Sequence, residues 1–200
     1  VVQYKPIGIS VLVTPWNYPA AMGTRKIAPA IAAGCPVIIK PASETPLTML
    51  ELMPLLEEAG VPKGLVSVLP SRNTSKLVDH LLHDNRVRLV SFTGSTEVGR
   101  KLLKVASDQV LKTSMELGGN APLIVFDDAD METAVDGCMV AKMRNLGEAC
   151  TAANRIYVHE DVAEEFKDKF SQRMGSLKVG NGLDKTVDVG PLVNAETRDK

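Results

Sequence analysis

The 200-residue sequence predicts an α/β protein in which an open parallel sheet carries helices on both faces. Three observations predict this class. Short runs rich in β-branched residues alternate with helical patterns, as in successive β-α-β units. Glycine and proline separate most of these runs. Right-handed crossovers between parallel strands then place helices on both sides of the sheet.

The elements of the first part of the chain follow one another in a regular order. A strand ends at the turn-prone sequence PWNYP, and the helix after it is expected to end at Gly34 and Pro36. Thr45 suits the N-cap of the next helix, and Pro46 suits its first turn. Strands are predicted over 7–14, 36–40, 64–70, 87–94 and 110–118, and helices over 21–34, 45–60, 75–84 and 96–108.

A new alternation of strand and helix patterns follows the Gly-Gly-Asn sequence of 118–120, which has the composition of a hinge. We expect two domains, residues 1–117 and residues 118–200, and we expect the domain over 118–200 to be truncated. This domain is predicted to contain strands over 121–127 and 155–159, helices over 130–147 and 162–177, and the start of a helix over 194–200.

Composition excludes several classes of protein. The sequence is 44% hydrophobic and 24% charged, and its formal net charge of −1 does not favour nucleic acid as a partner. No apolar run approaches the roughly 18 residues of a membrane span, and no secretory leader is visible. Three cysteines without a close pair indicate reduced thiols. We therefore expect a cytoplasmic protein that binds neither membranes nor nucleic acid.

Three polar segments are predicted at the carboxyl ends of strands, where open parallel sheets bind ligands. They are TPWN (14–17), KPAS (40–43) and FTGS (92–95). Gly94 and Gly99 flank a strand-to-helix turn that could hold a phosphate, but the Lys-Ser/Thr ending of a Walker A loop is missing and an ordinary turn remains an alternative. Lys40 fits either a ligand crevice or a solvated sheet rim.

The three thiols differ in their neighbours. Cys35 and Cys138 have apolar surroundings and are predicted to be inert core residues. Cys150 lies among small and polar residues in the sequence RNLGEACTAANR, after a helix and before a strand. A nucleophile needs such access, so Cys150 is a candidate nucleophile, with an unreactive turn cysteine as the alternative.

Two further polar residues have both a catalytic and a structural interpretation. Glu116 ends a strand and is either a general base or an ion-paired rim carboxylate. The Asn17 amide either donates to an oxyanion or holds its turn. His80 and His83 lack a nearby third ligand and are assigned to a solvated helix face, and His159 carries no signal, so no metal is expected.

Taken together, the sequences TPWNYP, AGCPVIIKPASETP, SFTGSTEVGR, MELGGNAP and GEACTAANR resemble the aldehyde dehydrogenase superfamily over essentially the whole chain. The resemblance implies a Rossmann-like cofactor domain followed by the start of a catalytic domain. It implies that Cys150 attacks the aldehyde, that Asn17 and the Cys150 backbone N–H form the oxyanion hole, and that Glu116 activates the hydrolytic water.

The resemblance also implies a nicotinamide cofactor. The residue three past the lysine is commonly glutamate in members that prefer NAD, whereas this chain has Ser43, which favours NADP with NAD as the alternative. The implied cofactor residues are Trp16, Asn17, Lys40, Pro41, Ala42, Ser43, Gly94, Ser95 and Leu117.

The sequences TRK and KMRN resemble succinate-semialdehyde dehydrogenases. This resemblance implies that Arg25 and Arg144 hold the distal carboxylate of a small aldehyde. Without it, either arginine would be interpreted as a surface ion-pair partner. Glutarate semialdehyde and neutral aliphatic aldehydes remain alternative substrates, and a catalytically silent nucleotide-binding scaffold remains an alternative of another class.

The sequence departs from the family pattern in three respects. Glu148 replaces the usual glutamine, and a carboxylate there could disfavour the thiolate or pair with a nearby base. Ala152 stands where some relatives have a second cysteine, so no disulfide lock is expected. Family members are more than twice as long, so we expect an internal fragment of a homo-oligomeric parent enzyme, with little or no turnover by itself.

Overall fold

The computed structural model describes residues 1–199, which divide into two compact units. The first unit covers residues 1–118 and the other begins at residue 119. Each is described separately. Among the described residues, no helix combines the length and apolar character needed to cross a membrane.

The first unit contains a five-stranded parallel sheet with the strand order β3-β2-β1-β4-β5. Its strands are β1 (Ile9–Val13), β2 (Val37–Lys40), β3 (Val66–Val68), β4 (Val87–Gly94) and β5 (Lys112–Leu117), and its helices are α1 (Pro19–Ala32), α2 (Pro46–Glu58), α3 (Thr74–Leu82) and α4 (Thr96–Asp108).

Side chains of the central strands alternate between two apolar cores. Val11 and Val13 of β1 belong to a buried cluster that includes Leu82 of α3, so they face α3 and α4. Leu12 belongs to the other cluster, with Ile27 of α1 and Met49 of α2. Each fully buried aliphatic side chain contributes about 1.5–3 kcal/mol. The burial of both sheet faces explains the nearly continuous apolar runs of β1 and β2.

The second unit pairs two parallel strands, β6 (Ala121–Val125) and β7 (Ala153–Val158), and packs helices against them. Its helices are α5 (Met131–Met143), α6 (Ala163–Gly175) and the short α7 (Ala195–Arg198). The core contains Val125, Val135, Cys138 and Phe166, and the rings of Phe166 and Phe170 stack with centroids 5.6 Å apart.

The observed elements agree closely with those predicted from the sequence, with one clear exception. The strand over 87–94 and the helix over 96–108 have the predicted bounds. The helix predicted over 130–147 is wrong at its end, because α5 ends at Met143. A 3₁₀ turn, Arg144–Gly147, follows, in which Asn145 has φ 53° and Leu146 has φ 60°. Left-handed backbone cannot continue a right-handed helix.

Candidate active site

The carboxyl ends of β1, β2 and β4 lie side by side at one edge of the first unit's sheet. Trp16 and Asn17 follow β1, Lys40 ends β2, and Gly94 ends β4. The strand order runs one way from β1 to β2 and the other way from β1 to β4, which makes this edge a topological switch point. The predicted placement of the three polar segments at strand ends is therefore confirmed, while their roles remain predictions.

Lys40 ends β2 as a buried cation, with 3% of its surface exposed. Burial lowers the pKa of Lys40, and the nearby Glu44 carboxylate partly opposes that effect. Its Nζ lies 3.5 Å from Ser43 Oγ, and Ser43 Oγ donates to the Ser71 carbonyl at 3.2 Å. These contacts join the segments that follow β2 and β3 into one polar corner. Pro41 and Ala42, between the lysine and the serine, are buried.

The turn between β4 and α4 is built by Ser95 and two glycines. Ser95 is the N-cap of α4, and its Oγ accepts a hydrogen bond from Val98 N at 3.3 Å. A Cβ atom on Gly94 would lie 2.5 Å from Phe92 Cζ, and one on Gly99 would lie 2.6 Å from Leu117 Cδ2. A Cβ atom at Gly94 would therefore require the Phe92 ring to shift, and one at Gly99 would require the Leu117 side chain to shift, whether or not the helix N-terminus also holds a phosphate.

A groove that was not predicted from the sequence lies between α3 and α4. It has a volume of about 450 Å³ and lies on the sheet face toward which Val13 points. Its signal in the sequence is the apolar spacing of Val98, Leu102 and Val105 on α4, which line it together with Val78 of α3. Lys76 and Lys101 also line it. Asp79 lines it as well, and Lys101 is ion-paired with Glu97, so the groove combines apolar walls with charged side chains of both signs.

The opposite sheet face holds an ion pair between two residues predicted for the site. Arg25 Nη2 of α1 lies 3.2 Å from Glu116 Oε1 of β5. Their side chains are 53% and 42% exposed, respectively. The structure thus brings together the predicted carboxylate-binding arginine and the predicted general base. Both residues also had an ion-pair interpretation from the sequence, and this contact agrees with it.

Next to that pair lies a buried lysine that the sequence motifs did not single out. Lys26 is 8% exposed, and its Nζ donates to Ser91 Oγ of β4 at 2.7 Å. Burial is the main effect and lowers the pKa of Lys26, while Glu116 raises it and Arg25 lowers it. The only hint in the sequence is a lysine followed directly by the apolar IAPAIA run of α1.

Two buried threonine hydroxyls lie on this side of the sheet edge. Thr93 is opposite Glu116 in the register of β4 and β5. Thr14 follows Val13, which is opposite Phe92, the residue before Thr93. Neither Thr14 Oγ1 nor Thr93 Oγ1 has a hydrogen-bond partner within residues 1–199. Buried hydroxyls are normally paired, so these two fit a site completed by a polar ligand or by water.

Cys150 lies in the second unit, in the turn between α5 and β7. Its residue is exposed, whereas Cys35 is 3% exposed and Cys138 is 0% exposed. The predicted burial of Cys35 and Cys138 is confirmed, and so is the accessibility of Cys150. The left-handed residues Asn145, Leu146 and Gly147 precede the thiol. A bulky leucine in this region is uncommon and costs about 1 kcal/mol or more, so the surrounding fold must hold this turn.

The whole chain, residues 1–200, matches the profile described as the aldehyde dehydrogenase family. This chain belongs to the aldehyde dehydrogenase family.

Relatives within the aldehyde dehydrogenase family agree with the resemblance in the sequence motifs. A succinate-semialdehyde dehydrogenase of Paenarthrobacter nicotinovorans is 56% identical over 198 residues, which is 99% of this chain and 44% of the relative. A probable NADP⁺-dependent succinate-semialdehyde dehydrogenase of Sinorhizobium fredii is 50% identical over 98% of this chain and 40% of its own length. The chain thus spans about two fifths of the length of these relatives.

A solved structure confirms the expected Rossmann-like fold. The succinate-semialdehyde dehydrogenase of Burkholderia pseudomallei superposes with a TM-score of 0.94 at 46% identity, covering 98% of this chain and 40% of that one.

Beside Cys150, both departures from the aldehyde dehydrogenase pattern have a structural context. Burial raises the pKa of Glu148 above its ordinary value. Ala152 is 2% exposed.

Arg144 lies at the end of α5 and is exposed, and it forms no ion pair within residues 1–199. Asn145, Leu146 and Gly147 separate it from Glu148.

The histidines of this aldehyde dehydrogenase chain lie outside the sites described above. His83 lies 3.7 Å from carboxylate oxygens of both Asp79 and Asp108, and its pKa is raised, chiefly by a hydrogen bond to the Asp79 carbonyl. His159 lies with Asp127 and Asp161 in an exposed group whose potential ligand atoms are within 4.8 Å of one another. The sequence did not reveal this exposed group. The absence of a metal remains a prediction.

Proposed function

We propose that the protein containing this chain oxidises succinate semialdehyde to succinate with NADP⁺ or NAD⁺. The observation that carries the substrate class is the position of the Arg25 guanidinium, 3.2 Å from a carboxylate oxygen at the carboxyl edge of the sheet. A guanidinium in that position binds a carboxylate here, and the same N–H donors suit the distal acid of the substrate. The names of the two relatives described above support this assignment.

The first unit has features that fit a dinucleotide. The groove between α3 and α4 suits an adenine ring, Lys40 and Ser43 suit the adenosine ribose, and the N-terminus of α4 at Ser95 suits the pyrophosphate. The unpaired Thr14 and Thr93 hydroxyls mark polar space on the Glu116 side of the edge. A nicotinamide cofactor held there would supply the acceptor for the hydride that the substrate carbon loses.

We favour NADP⁺ over NAD⁺ because of the corner formed by Lys40 and Ser43. Lys40 supplies a buried positive charge, and position 43 carries a hydroxyl instead of a carboxylate that would repel a 2′-phosphate. Glu44 is close enough to affect Lys40, so some acidic character remains and NAD⁺ stays the alternative.

Three residues would carry the covalent chemistry. The Cys150 thiol would lose its proton to water, and its sulfur would bond to the aldehyde carbon as the carbonyl π bond opens to an oxyanion. The Asn17 amide and the Cys150 backbone N–H would donate to that oxyanion. Loss of hydride from that carbon leaves a thioester. Glu116 then accepts a proton from water while the water oxygen bonds to the acyl carbon. The C–S bond breaks, and Cys150 leaves as a thiolate. The exposure of Cys150 and the position of Glu116 at a strand end support these roles.

Glutarate semialdehyde is the alternative candidate substrate. Relatives at 46% and 47% identity are named glutarate-semialdehyde dehydrogenases. This aldehyde also has a distal carboxylate, so Arg25 and Arg144 would recognise it in the same way. One extra methylene is worth only about 1–3 kcal/mol in a pocket, so the two acids are expected to compete closely, and neutral aldehydes poorly.

An activity panel on the full-length protein tests the proposal. Succinate semialdehyde, glutarate semialdehyde and butanal are each assayed with NADP⁺ and NAD⁺. We expect kcat/KM for succinate semialdehyde to exceed that for butanal at least about tenfold. Cys150→Ser should lower kcat at least about a thousandfold, and Cys138→Ala, which changes a buried thiol, serves as the matched control.

Three results would contradict the proposal. Normal turnover by the Cys150→Ser enzyme would exclude Cys150 as the nucleophile. A preference for butanal would exclude the carboxylate site. Cofactor binding without turnover of any aldehyde would favour the silent scaffold instead.

A further inference from the structure

The ion pair between Arg25 and Glu116 links two functions that the proposed mechanism keeps separate. Arg25 is the substrate's anchor and Glu116 is the base for hydrolysis, yet their charged atoms lie 3.2 Å apart. A base whose carboxylate is ion-paired with a guanidinium is held near that cation and is less available to water. Lys26, the neighbouring cation, already donates to Ser91, so Arg25 is the cation that pairs with Glu116.

This pair is weak enough to be exchanged. Both side chains are about half exposed, and exposed ion pairs change an equilibrium constant by only a few-fold. The distance of 3.2 Å between Arg25 Nη2 and Glu116 Oε1 is that of an ordinary ion pair. A substrate carboxylate that approaches Arg25 competes for the same N–H donors. It can accept two parallel hydrogen bonds from the planar guanidinium, in a bidentate contact.

We infer that the substrate's own carboxylate switches on the hydrolytic base by displacing Glu116 from Arg25. This inference rests on the proposed function. Arg25 is then a positioning residue for Glu116 as well as the anchor of the substrate. An acyl group with a distal carboxylate binds the Arg25 guanidinium, which leaves Glu116 able to accept the proton of the attacking water. A neutral acyl group leaves Glu116 paired, and its thioester hydrolyses more slowly.

Removal of Arg25 distinguishes a role in substrate binding alone from a role in restraining Glu116. If Arg25 only bound substrate, its removal would slow or leave unchanged the hydrolysis of every acyl-enzyme. If Arg25 restrains Glu116, its removal should speed the hydrolysis of a neutral acyl-enzyme. A small carboxylic acid added separately should also accelerate hydrolysis of the neutral acyl-enzyme, because it occupies Arg25 in place of the substrate's acid.

The experiment follows the acyl group on Cys150 of the full-length enzyme directly. Enzyme with saturating NADP⁺ is mixed with butanal in a single turnover, quenched at successive times, and the butyryl adduct is measured by intact-protein mass spectrometry. The variants are Arg25→Gln and Arg25→Lys, which keeps the charge. Arg86→Gln is the matched control, because Arg86 is an exposed arginine paired with Asp84 before β4 begins.

We expect Arg25→Gln to hydrolyse the butyryl adduct about two to five times faster than the wild type, the factor that an exposed ion pair is worth. Propionate should accelerate the wild-type enzyme by a similar factor and leave Arg25→Gln unchanged. Arg25→Lys, which keeps a positive charge near Glu116, should hydrolyse the butyryl adduct more slowly than Arg25→Gln, and Arg86→Gln should behave like the wild type.

Slower or unchanged butyryl hydrolysis in Arg25→Gln, or no response of the wild type to propionate, would overturn the switch while leaving the proposed function intact. Failure of any acyl adduct to form on Cys150 would instead remove the proposed function, and the switch with it.

Discussion

Gly99 and Leu117 are in contact where α4 crosses the end of β5, and a Cβ atom on Gly99 would lie 2.6 Å from Leu117 Cδ2. The same substituent would also approach Phe92 Cε1 to 3.6 Å. The missing side chain therefore allows the helix to pack closely on the strand. Leu117 is also one of the cofactor residues that the family resemblance implies, so this packing contact involves a residue of the proposed site.

Gly99→Ala should destabilise the full-length protein. Alanine normally gains about 1 kcal/mol over glycine in a helix, but displacing Leu117 costs about 1–3 kcal/mol. Gly137→Ala is the matched control, because Gly137 lies within α5 and a Cβ atom there meets nothing within 4 Å. Thermal unfolding should give a lower melting temperature for Gly99→Ala and a higher one for Gly137→Ala. Equal stabilisation of both variants would show that Leu117 yields freely.

Alkylation should distinguish the three cysteines. Cys150 is exposed, whereas Cys35 and Cys138 are buried, so native full-length protein treated briefly with iodoacetamide should be modified at Cys150 first. Peptide mapping measures the modified fraction at each site. Bound NADP⁺ should slow the modification of Cys150 and leave the other two unaffected. Similar rates at all three cysteines in folded protein would argue against a selectively reactive thiol.

Arg144→Ala should change substrate preference more than catalysis in general. Hydrogen bonds to a charged group contribute about 1.5–3 kcal/mol, so kcat/KM for succinate semialdehyde should fall about 10- to 100-fold. Butanal lacks the acid, and its kcat/KM should change less than about threefold. Steady-state kinetics of the full-length enzyme with both aldehydes measures the difference. Equal losses with both substrates would refute a carboxylate role for Arg144.

Glu148 should make stability depend on pH in a defined direction. Burial raises the pKa of Glu148 above 4.5, so the folded protein keeps the proton at pH values where the unfolded chain has lost it. Its contribution is then fully present below the unfolded pKa and is lost as pH rises through the folded pKa. Glutamine does not titrate in this range. The melting temperature of Glu148→Gln relative to the wild type should therefore rise between about pH 4 and about pH 8.

Glu97→Gln provides a control with the opposite sign. The hydrogen bond from Lys101 lowers the pKa of Glu97 below 4.5, so its stabilisation is present above that value and is lost as pH falls. Glu97→Gln should therefore lose melting temperature relative to the wild type as pH rises. A difference that moves the same way in both variants would contradict the assigned environments.

Much of the fold follows from short-range patterns in the sequence. The bounds of β4 and α4 were predictable because apolar alternation and the Ser95 cap act over a few residues. The end of α5 was not predictable in this way. Arg144, Asn145 and Leu146 continue the helical pattern in composition, and only the left-handed backbone at Asn145 and Leu146 breaks it.

The candidate site also combines features that depend on adjacent residues with features that depend on the whole fold. The polar segments at the strand ends and the small neighbours of Cys150 could be predicted from the sequence, because both depend on residues adjacent in the chain. The pairing of Arg25 with Glu116 and the hydrogen bond from Lys26 to Ser91 depend on the three-dimensional fold. Those contacts join α1 to β5 and β4, and strand order and register, which bring distant residues together, are set by packing of the whole sheet.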